Sequence, residues 1–120
     1  MQDGAINESV LEALWALQRE GQPDFPSKIV TLYLDTAPSV LRELETAAAA
    51  ADASLLHITL HRLHSASTAI GAVRLVALSK EAEAITRAGH LPPDATERVQ
   101  AIADEYARVE AALISWCAAR

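Results

Sequence analysis

The sequence predicts an all-α protein, an antiparallel four-helix bundle with a short N-terminal helix that caps one end. Apolar residues recur at spacings of three and four along most of the 120 residues, as on the buried face of a helix, and no segment alternates apolar and polar residues as a strand does. Hydrophobic residues make up 51% of the chain but aromatic residues only 4%. The core must therefore be built from leucine, isoleucine, valine and alanine, which suit closely packed helices. We expect residues 1–120 to form one domain.

The first two helices are predicted from their capping residues. Residues 1–6 look like a frayed start or a truncation scar. Asn7 is a good N-cap for a short helix, and Asp24 can cap a second, longer helix. Pro38 lies inside the second helix. Because proline lacks an amide donor and clashes with the preceding turn, we expect a kink or a break over residues 35–37.

The remaining three helices are delimited by caps and glycines. Asp52 is the expected N-cap of the third helix, which should stop at Gly71, and the fourth helix should stop at Gly89. Asp94 and Glu97 have the spacing of a capping box, in which the first side chain bonds free amides and the second reaches back. The fifth helix carries a narrow apolar seam typical of bundle helices, formed by Val99, Ile102, Tyr106, Val109, Leu113 and Trp116.

The charge and hydropathy of the chain argue against several classes of function. The formal net charge is −6 and the lysines and arginines are scattered, which disfavours nucleic acid as a partner, because binding to phosphates needs clustered positive charge. No apolar run approaches the roughly 20 residues of a bilayer span, and the first residues lack the pattern of a signal peptide. We therefore expect a cytoplasmic protein that does not contact a membrane.

A histidine-rich stretch at the centre of the chain carries the strongest indication of function. On a helix with about 100° per residue, one stripe of positions faces the core: Leu56, Leu60, Leu63, Ser67 and Ile70. His61 points roughly 140° away from the centre of that stripe, with His57 and His64 on the same polar side and Ser65 one turn beyond. Since histidine is largely neutral near pH 7, an exposed imidazole there can act as a nucleophile.

The same stretch resembles the signature of the histidine-containing phosphotransfer (HPt) domain family. That signature runs His-x-Leu-Lys-Gly-Ser-Ser/Ala, then Leu/Ile-Gly-Ala and Leu-x-x-Leu, with an acidic residue further on. The matching residues are His61, Leu63, Ser67, Ile70, Gly71, Ala72, Leu75, Leu78 and Glu83, and the segment 32–41 with Leu44 looks like the helix that precedes the signature. Three positions depart from it: His64 replaces the usual lysine, Ser65 the usual glycine and Ala66 the first small hydroxyl residue.

The resemblance implies an intermediate of a multistep phosphorelay. His61 would be phosphorylated on Nε2 by the aspartate of a receiver domain and would pass the phosphoryl group to another receiver, with His64 and Ser65 beside the reacting atoms. His57, Ser65 and Thr68 would contact the partner. The implied partners are response-regulator receiver domains and a hybrid sensor kinase. The chain would need no cofactor of its own, because the receiver supplies the Mg²⁺, and it would have no kinase activity of its own, since it lacks an ATP-binding glycine loop.

Two other interpretations stay open. The replacements at His64 and Ser65 favour a receiver-binding adaptor that has kept the bundle and lost phosphotransfer. His57, His61 and His64, at spacings of four and three, could instead gather a metal ion on one helix face. No cysteine or carboxylate falls at an obvious ligand spacing beside them, and structural zinc sites need four ligands, so the sequence predicts no metal site.

The initial Met1 and the lack of linker-like tails favour a free-standing protein, expected to be monomeric, over a domain cut from a hybrid kinase.

Overall fold

In the computed structural model, which describes residues 4–18, 21 and 24–119, all regular secondary structure is helical. The five helices are α1 (Glu8–Ala16), α2 (Phe25–Ala49), α3 (Ala53–Ala69), α4 (Val73–Thr86) and α5 (Ala95–Ala118). The described residues contain no strand, which confirms the predicted all-α class. Within the same ranges, no helix combines the length and the apolar character that crossing a membrane requires.

Polar side chains begin three of the helices where the sequence predicts. Oδ1 of Asn7 accepts a hydrogen bond from the amide of Ser9 at 3.0 Å. Asp24 and Asp52 cap α2 and α3 in the same way, through amides three residues later at 3.1 and 3.0 Å. Each such cap contributes about 1 kcal/mol to stability, because it satisfies an amide that has no partner within the helix.

Helix α2 continues through Pro38 without interruption. Of the kink or break expected over residues 35–37, the break is therefore wrong. Proline removes a single hydrogen bond, while residues on both sides of it bury side chains in the core: Tyr33, Ala37, Leu44 and Ala47. That packing holds the two halves in one helix, since tertiary contacts contribute more to helix stability than local propensity does.

The beginning of α5 differs from the predicted capping box. Asp94 occupies the N-cap position, but its side chain accepts no amide hydrogen bond there. Instead, Oδ1 of Asp94 accepts a hydrogen bond from Nε of Arg98 at 2.9 Å, and Arg98 also reaches Glu81 on α4 at 3.2 Å. The capping box is therefore wrong, because a charge-assisted bond to a guanidinium competes for the same carboxylate.

Residues 4–6 pack against the helices, so the frayed start predicted for residues 1–6 is wrong over this part, and residues 1–3 lie outside the described residues. Ala5 is fully buried and Ile6 is 7% exposed. The amide of Asn7 donates to the carbonyl of Gly71, between α3 and α4, at 2.7 Å. The reason is tertiary, because the turn between α3 and α4 offers a carbonyl acceptor that the sequence near the N-terminus does not reveal.

Four of the helices form a closed ring of contacts, in which α3 and α5 each pack against both α2 and α4. The apolar stripe predicted for α3 is buried, with every member at most 2% exposed: Leu56, Leu60, Leu63, Ser67 and Ile70. The predicted seam of α5 is buried as well, with every member at most 5% exposed. These contacts are consistent with the predicted four-helix bundle.

A buried hydrogen bond ties α2 to the core side of α3. The hydroxyl oxygens of Tyr33 and Ser67 lie 2.9 Å apart, and burial raises the pKa of Tyr33, so the phenol stays protonated. Tyr106 of α5 packs against Tyr33, with 6.0 Å between the ring centroids. The small hydroxyl residue at position 67 thus gives the phenol a partner in the core, which avoids the cost of an unsatisfied buried polar group.

The glycines that follow α3 and α4 both adopt left-handed backbones, with φ of +77° at Gly71 and +85° at Gly89. The predicted stop of α3 at Gly71 is confirmed. The two glycines differ in their surroundings. A Cβ on Gly71 would lie 2.8 Å from the carbonyl oxygen of Asn7 and 3.0 Å from Cβ of Val10, whereas one on Gly89 would meet no described atom within 4 Å. The turn at Gly71 is therefore tightly packed against the start of α1.

Gly71→Ala is expected to destabilise the protein more than Gly89→Ala. Each substitution costs about 1 kcal/mol for a Cβ in the left-handed conformation, and the contact of Gly71 with Asn7 and Val10 adds about 1–3 kcal/mol for overpacking. Chemical denaturation followed by circular dichroism measures both free energies of unfolding. Equal losses in the two variants would contradict the close packing on this turn.

Candidate active site

His61 lies at the middle of α3 and projects away from the core. Its neighbours Leu60 and Leu63 are each 1% exposed, whereas the side chain of His61 is 62% exposed. The helical period explains the difference, because the apolar stripe sets the rotation of α3 and leaves position 61 on the opposite side. The predicted exposure of His61 is confirmed.

A single carboxylate from α4 holds the imidazoles of both His61 and His64. Oε2 of Glu83 lies 2.7 Å from Nδ1 of His61, and Oε1 lies 3.0 Å from Nδ1 of His64. An ionised carboxylate only accepts hydrogen bonds, so Nδ1 of each ring is the donor. In a neutral imidazole the other nitrogen, Nε2, then carries the lone pair. Nε2 of His61 forms no hydrogen bond within the part of the chain that the structure describes.

Glu83 is almost fully buried, with 8% of its surface exposed. Burial raises the pKa of a carboxyl group, because it penalises the charged form. In Glu83 the hydrogen bonds from His61 and His64 outweigh that effect, so the pKa lies below the ordinary carboxyl value. The carboxylate is therefore ionised at neutral pH and can balance positive charge on either ring.

His57, one turn before His61, faces α4 without reaching the Glu83 carboxylate. Its Nδ1 lies 2.9 Å from Oγ1 of Thr86 and 3.1 Å from the backbone carbonyl oxygen of Glu83. The carbonyl only accepts, so Nδ1 donates, and the half-buried ring ties α3 to the last turn of α4. His57 thus lies beside His61 and His64 but does not bond to the carboxylate that they share.

The other two predicted site residues lie along the exposed face of α3. Ser65 is exposed, one turn after His61. Thr68 is also exposed, and its hydroxyl donates to the carbonyl of His64 at 2.9 Å, within the helix. The structure therefore brings His61 and His64 together on Glu83 and leaves Ser65 and Thr68 as surface positions beside them. The roles of these two residues in partner binding stay predictions.

Comparison with known families shows where this arrangement belongs. The family model of the Hpt domain matches residues 28–112, which include all of α3 and α4 and most of α2 and α5. The chain belongs to the Hpt domain family. The predicted resemblance is confirmed, and with it a phosphorelay role in histidine phosphotransfer, within two-component signal transduction.

Two solved structures share the fold of this Hpt domain. The crystal structure of histidine-containing phosphotransfer protein B (HptB) from Pseudomonas aeruginosa PAO1 is 26% identical and has a TM-score of 0.83 over 92% of each chain. The HPT domain from the Hpt sensor hybrid histidine kinase from Shewanella has a TM-score of 0.79, covering 98% of this chain and 97% of that one. At 20% identity the second structure supports the fold alone. Comparison with curated proteins gives no significant match.

Glu83 is the site residue that the sequence-based prediction leaves out. In the sequence it stands out only as a match to the acidic position of the signature, because it lies at no obvious ligand spacing from the histidines, yet the fold brings its carboxylate to both His61 and His64. The turn at Gly71 folds α4 back along α3, so residues at similar distances from the turn face each other. His61 precedes Gly71 by ten residues and Glu83 follows it by twelve. That symmetry about a glycine turn is the signal that could have found Glu83.

The stability of this Hpt domain is expected to depend on the ionisation of Glu83. The pKa of Glu83 is lower in the folded state than the ordinary carboxyl value of 4.5, so ionised Glu83 stabilises the fold at pH values above 4.5. This contribution is lost as the pH falls through the folded-state pKa. Glu83→Gln should lower the free energy of unfolding by about 1–3 kcal/mol at pH 7. The difference from the wild type should narrow as the pH falls below about 4.5, through the lowered pKa of the folded state.

Urea titrations across this pH range measure the effect. Glu97→Gln, which alters an exposed glutamate of α5, is the control for loss of a glutamate charge. A gap between Glu83→Gln and the wild type that stays constant down to low pH would contradict an ionised carboxylate shared by two imidazoles.

Proposed function

We propose that this Hpt domain accepts a phosphoryl group on Nε2 of His61 from the aspartyl phosphate of one receiver domain and passes it to the aspartate of another. The observation that carries the proposal is the hydrogen bond from Nδ1 of the exposed His61 to the buried Glu83 carboxylate, at 2.7 Å. This bond supports an imidazole whose Nε2 lone pair is available to a partner. Membership of the family supports receiver domains as the partners.

The transfer forms one bond and breaks one. Nε2 attacks phosphorus in line with the bond to the aspartate oxygen, so the N–P bond forms while the P–O bond breaks and the aspartate leaves as a carboxylate. Positive charge develops on the imidazole during the attack, and the Glu83 carboxylate, 2.7 Å from Nδ1, stabilises it. Glu83 also fixes the tautomer of His61, as the aspartate of a catalytic triad does for its histidine. Glu83 therefore acts as a positioning residue.

His64 and Ser65 have supporting roles next to the reacting nitrogen. His64 stands at the lysine position of the signature, and its Nδ1 donates to Glu83 at 3.0 Å, so its Nε2 can donate to the phosphoryl oxygens only when the ring is protonated. Ser65, from its exposed position, donates a hydrogen bond to the phosphoryl group or narrows the approach of the partner. The receiver supplies the Mg²⁺ that neutralises the phosphoryl oxygens, so the Hpt domain needs no cofactor of its own.

The receiver-binding surface in this proposal is the exposed side of α3 around His61. Ser65 and Thr68 are exposed there, and His57 contributes the uncovered part of its half-buried ring. A hybrid sensor kinase that carries the donor receiver is the source of the phosphoryl group. The rival interpretation, an adaptor without phosphotransfer, gains no support, because the hydrogen bond that orients His61 is present.

The antiparallel order of α2 to α5, with α1 closing one end, is part of the same proposal. Helix α1 leads into the start of α2, and Asn7 at its N-terminus bonds to Gly71 between α3 and α4. Trp15 of α1 packs edge to face against Trp116 near the end of α5, with 6.3 Å between the ring centroids. Helix α1 therefore lies beside the start of α2, the turn between α3 and α4, and the end of α5. This placement supports an arrangement in which successive helices from α2 to α5 run in opposite directions. The proposed protein is a single-domain, monomeric and cytoplasmic phosphocarrier.

His61→Gln is expected to abolish labelling by a phosphorylated receiver domain in the presence of Mg²⁺, measured as acid-labile, alkali-stable phosphate on the Hpt domain. Glutamine keeps a polar side chain but has no imidazole to phosphorylate. His90→Gln, which removes an exposed histidine after α4, should leave labelling unchanged. Labelling of the His61→Gln variant would contradict the proposal, and so would a wild type that binds receivers without becoming labelled by any of them.

Glu83→Gln is expected to slow transfer to His61 without weakening receiver binding. Loss of the charged hydrogen bond removes about 1.5–3 kcal/mol of stabilisation, which corresponds to a roughly ten- to hundredfold lower rate. Single-turnover transfer and receiver binding, measured separately, distinguish the two effects. Nitrogen-15 NMR should show one tautomer of His61, protonated on Nδ1, in the wild type and a mixture in the variant. An unchanged rate and tautomer would rule out the positioning role.

A further inference from the structure

His61, His64 and Glu83 form a set of potential metal ligands as well as a hydrogen-bonded cluster. One donor atom from each of the three side chains lies within 4.8 Å of the other two. The residues come from two helices that pack closely against each other, so the fold sets their spacing. This set differs from the three histidines of the helix face, because His57 bonds to Thr86 and Glu83 supplies the third ligand.

We propose that His61, His64 and Glu83 bind one Zn²⁺ ion, and that zinc binding and phosphorylation of His61 exclude each other. Two imidazole nitrogens and one carboxylate oxygen are a ligand set that zinc accepts while its fourth position stays open. Ligand atoms around tetrahedral zinc lie roughly 3.4 Å apart, so donors already within 4.8 Å need only small side-chain rotations to reach the ion. The exclusion of phosphorylation rests on the proposed function, whereas the binding of zinc does not.

The burial of the three side chains suits an exchangeable metal site. The side chain of His61 is 62% exposed and that of His64 is 24% exposed, so an ion can reach both rings from solvent. The side chain of Glu83 is 10% exposed and places a negative charge in a region of low dielectric constant, where it attracts a divalent cation strongly. Zinc can therefore bind and leave without unfolding of the helices.

The imidazole ligands determine which metals the site accepts. Imidazole suits Zn²⁺ and other first-row transition metals, whereas Mg²⁺ and Ca²⁺ prefer sites built from oxygen ligands. Only Glu83, one of the three residues, offers oxygen. The Mg²⁺ that a receiver domain requires should therefore not compete with zinc for this site.

Zinc bound to His61 removes the nucleophilic lone pair on Nε2, whichever of the two ring nitrogens coordinates the ion. Coordination through Nε2 uses the lone pair directly. Coordination through Nδ1 displaces the hydrogen bond to Glu83 and moves the ring proton to Nε2. A ring that is phosphorylated on Nε2 and keeps its proton on Nδ1 is a cation, which the Glu83 carboxylate neutralises, and it offers zinc no lone pair. Each state of His61 thus excludes the other.

His64 makes the zinc site specific to sequences that carry histidine at this position. The usual residue of the signature is lysine, whose ammonium group has no lone pair for a metal while it is protonated. Histidine in its place removes a permanent positive charge beside Glu83 and adds a ligand. His64→Lys therefore restores the signature and removes the site, which makes it the sharpest variant for a test.

The binding test titrates the untagged chain with Zn²⁺ in competition with a chromophoric chelator. The wild type should bind one ion per chain. Glu83→Gln and His64→Lys should each weaken binding at least about tenfold, while His57→Gln and His90→Gln should match the wild type. Nitrogen-15 NMR should show the imidazole signals of His61 and His64 shifting together at one equivalent of zinc.

Three results would overturn the zinc site. They are a wild type that binds no zinc, binding by His64→Lys or Glu83→Gln as tight as in the wild type, and a loss in His57→Gln as large as that in Glu83→Gln. The last result would place the metal on the histidines of α3 alone. Circular dichroism of each variant separates loss of a ligand from loss of the fold, and His64→Lys decides the matter if Glu83→Gln does not fold.

The exclusion is tested by adding zinc to the labelling reaction while Mg²⁺ is held constant. Zinc should suppress labelling of the wild type and should suppress labelling of His64→Lys far less, a comparison that also controls for zinc acting on the receiver. Undiminished labelling of the zinc-saturated wild type would overturn the exclusion. A domain that binds zinc but is labelled by no receiver would overturn the proposed function, and the exclusion with it. A domain that is labelled but binds no zinc would overturn the zinc site alone.

Discussion

The chemistry of this Hpt domain depends on one buried carboxylate. Glu83 places a negative charge between α3 and α4, where loss of hydration is unfavourable, and two imidazole donors at 2.7 and 3.0 Å offset that cost. The same bonds set the rotation of both rings and hold their protons on Nδ1. Without the carboxylate, His61 would be an ordinary exposed histidine with both tautomers present. One interaction therefore joins the two helices and prepares the nucleophile.

The register of α4 against α3 is set at the turn that joins them. Gly71 adopts a left-handed conformation there, and the segment before α1 closes over it, with the amide of Asn7 on the Gly71 carbonyl. His61 and His64 then meet Glu83 across the helix pair. A shift of one helical turn, about 5.4 Å, would separate the imidazoles from their carboxylate. The packing of the turn and the geometry of the site are therefore coupled.

Histidine at position 64 changes the electrostatics of the site relative to the lysine of the family signature. A lysine would hold a permanent positive charge near the Glu83 carboxylate, whereas neutral imidazoles leave that carboxylate as the net charge of the cluster. Such a cluster suits two events. It balances the positive charge that forms on His61 during phosphoryl transfer, and it attracts a divalent cation. The two proposals thus share one physical basis, a buried negative charge whose neutralising partner can be exchanged.

The sequence by itself determined the helices, three of their caps and the exposed face that carries His61, because side chains two to four residues apart decide these features. It also determined the family, through a signature that lies mostly on one helix and the turn after it. Only the tertiary structure decided the contacts between distant residues. The expected break at Pro38 is wrong because core packing outweighed the local preference of proline. The capping box at Asp94 is wrong because Arg98, four residues along, takes the carboxylate while it also reaches Glu81 on α4. Glu83 entered the site for the same kind of reason: a helical period places a side chain on a face, but only the packing of one helix on another determines which residue meets it.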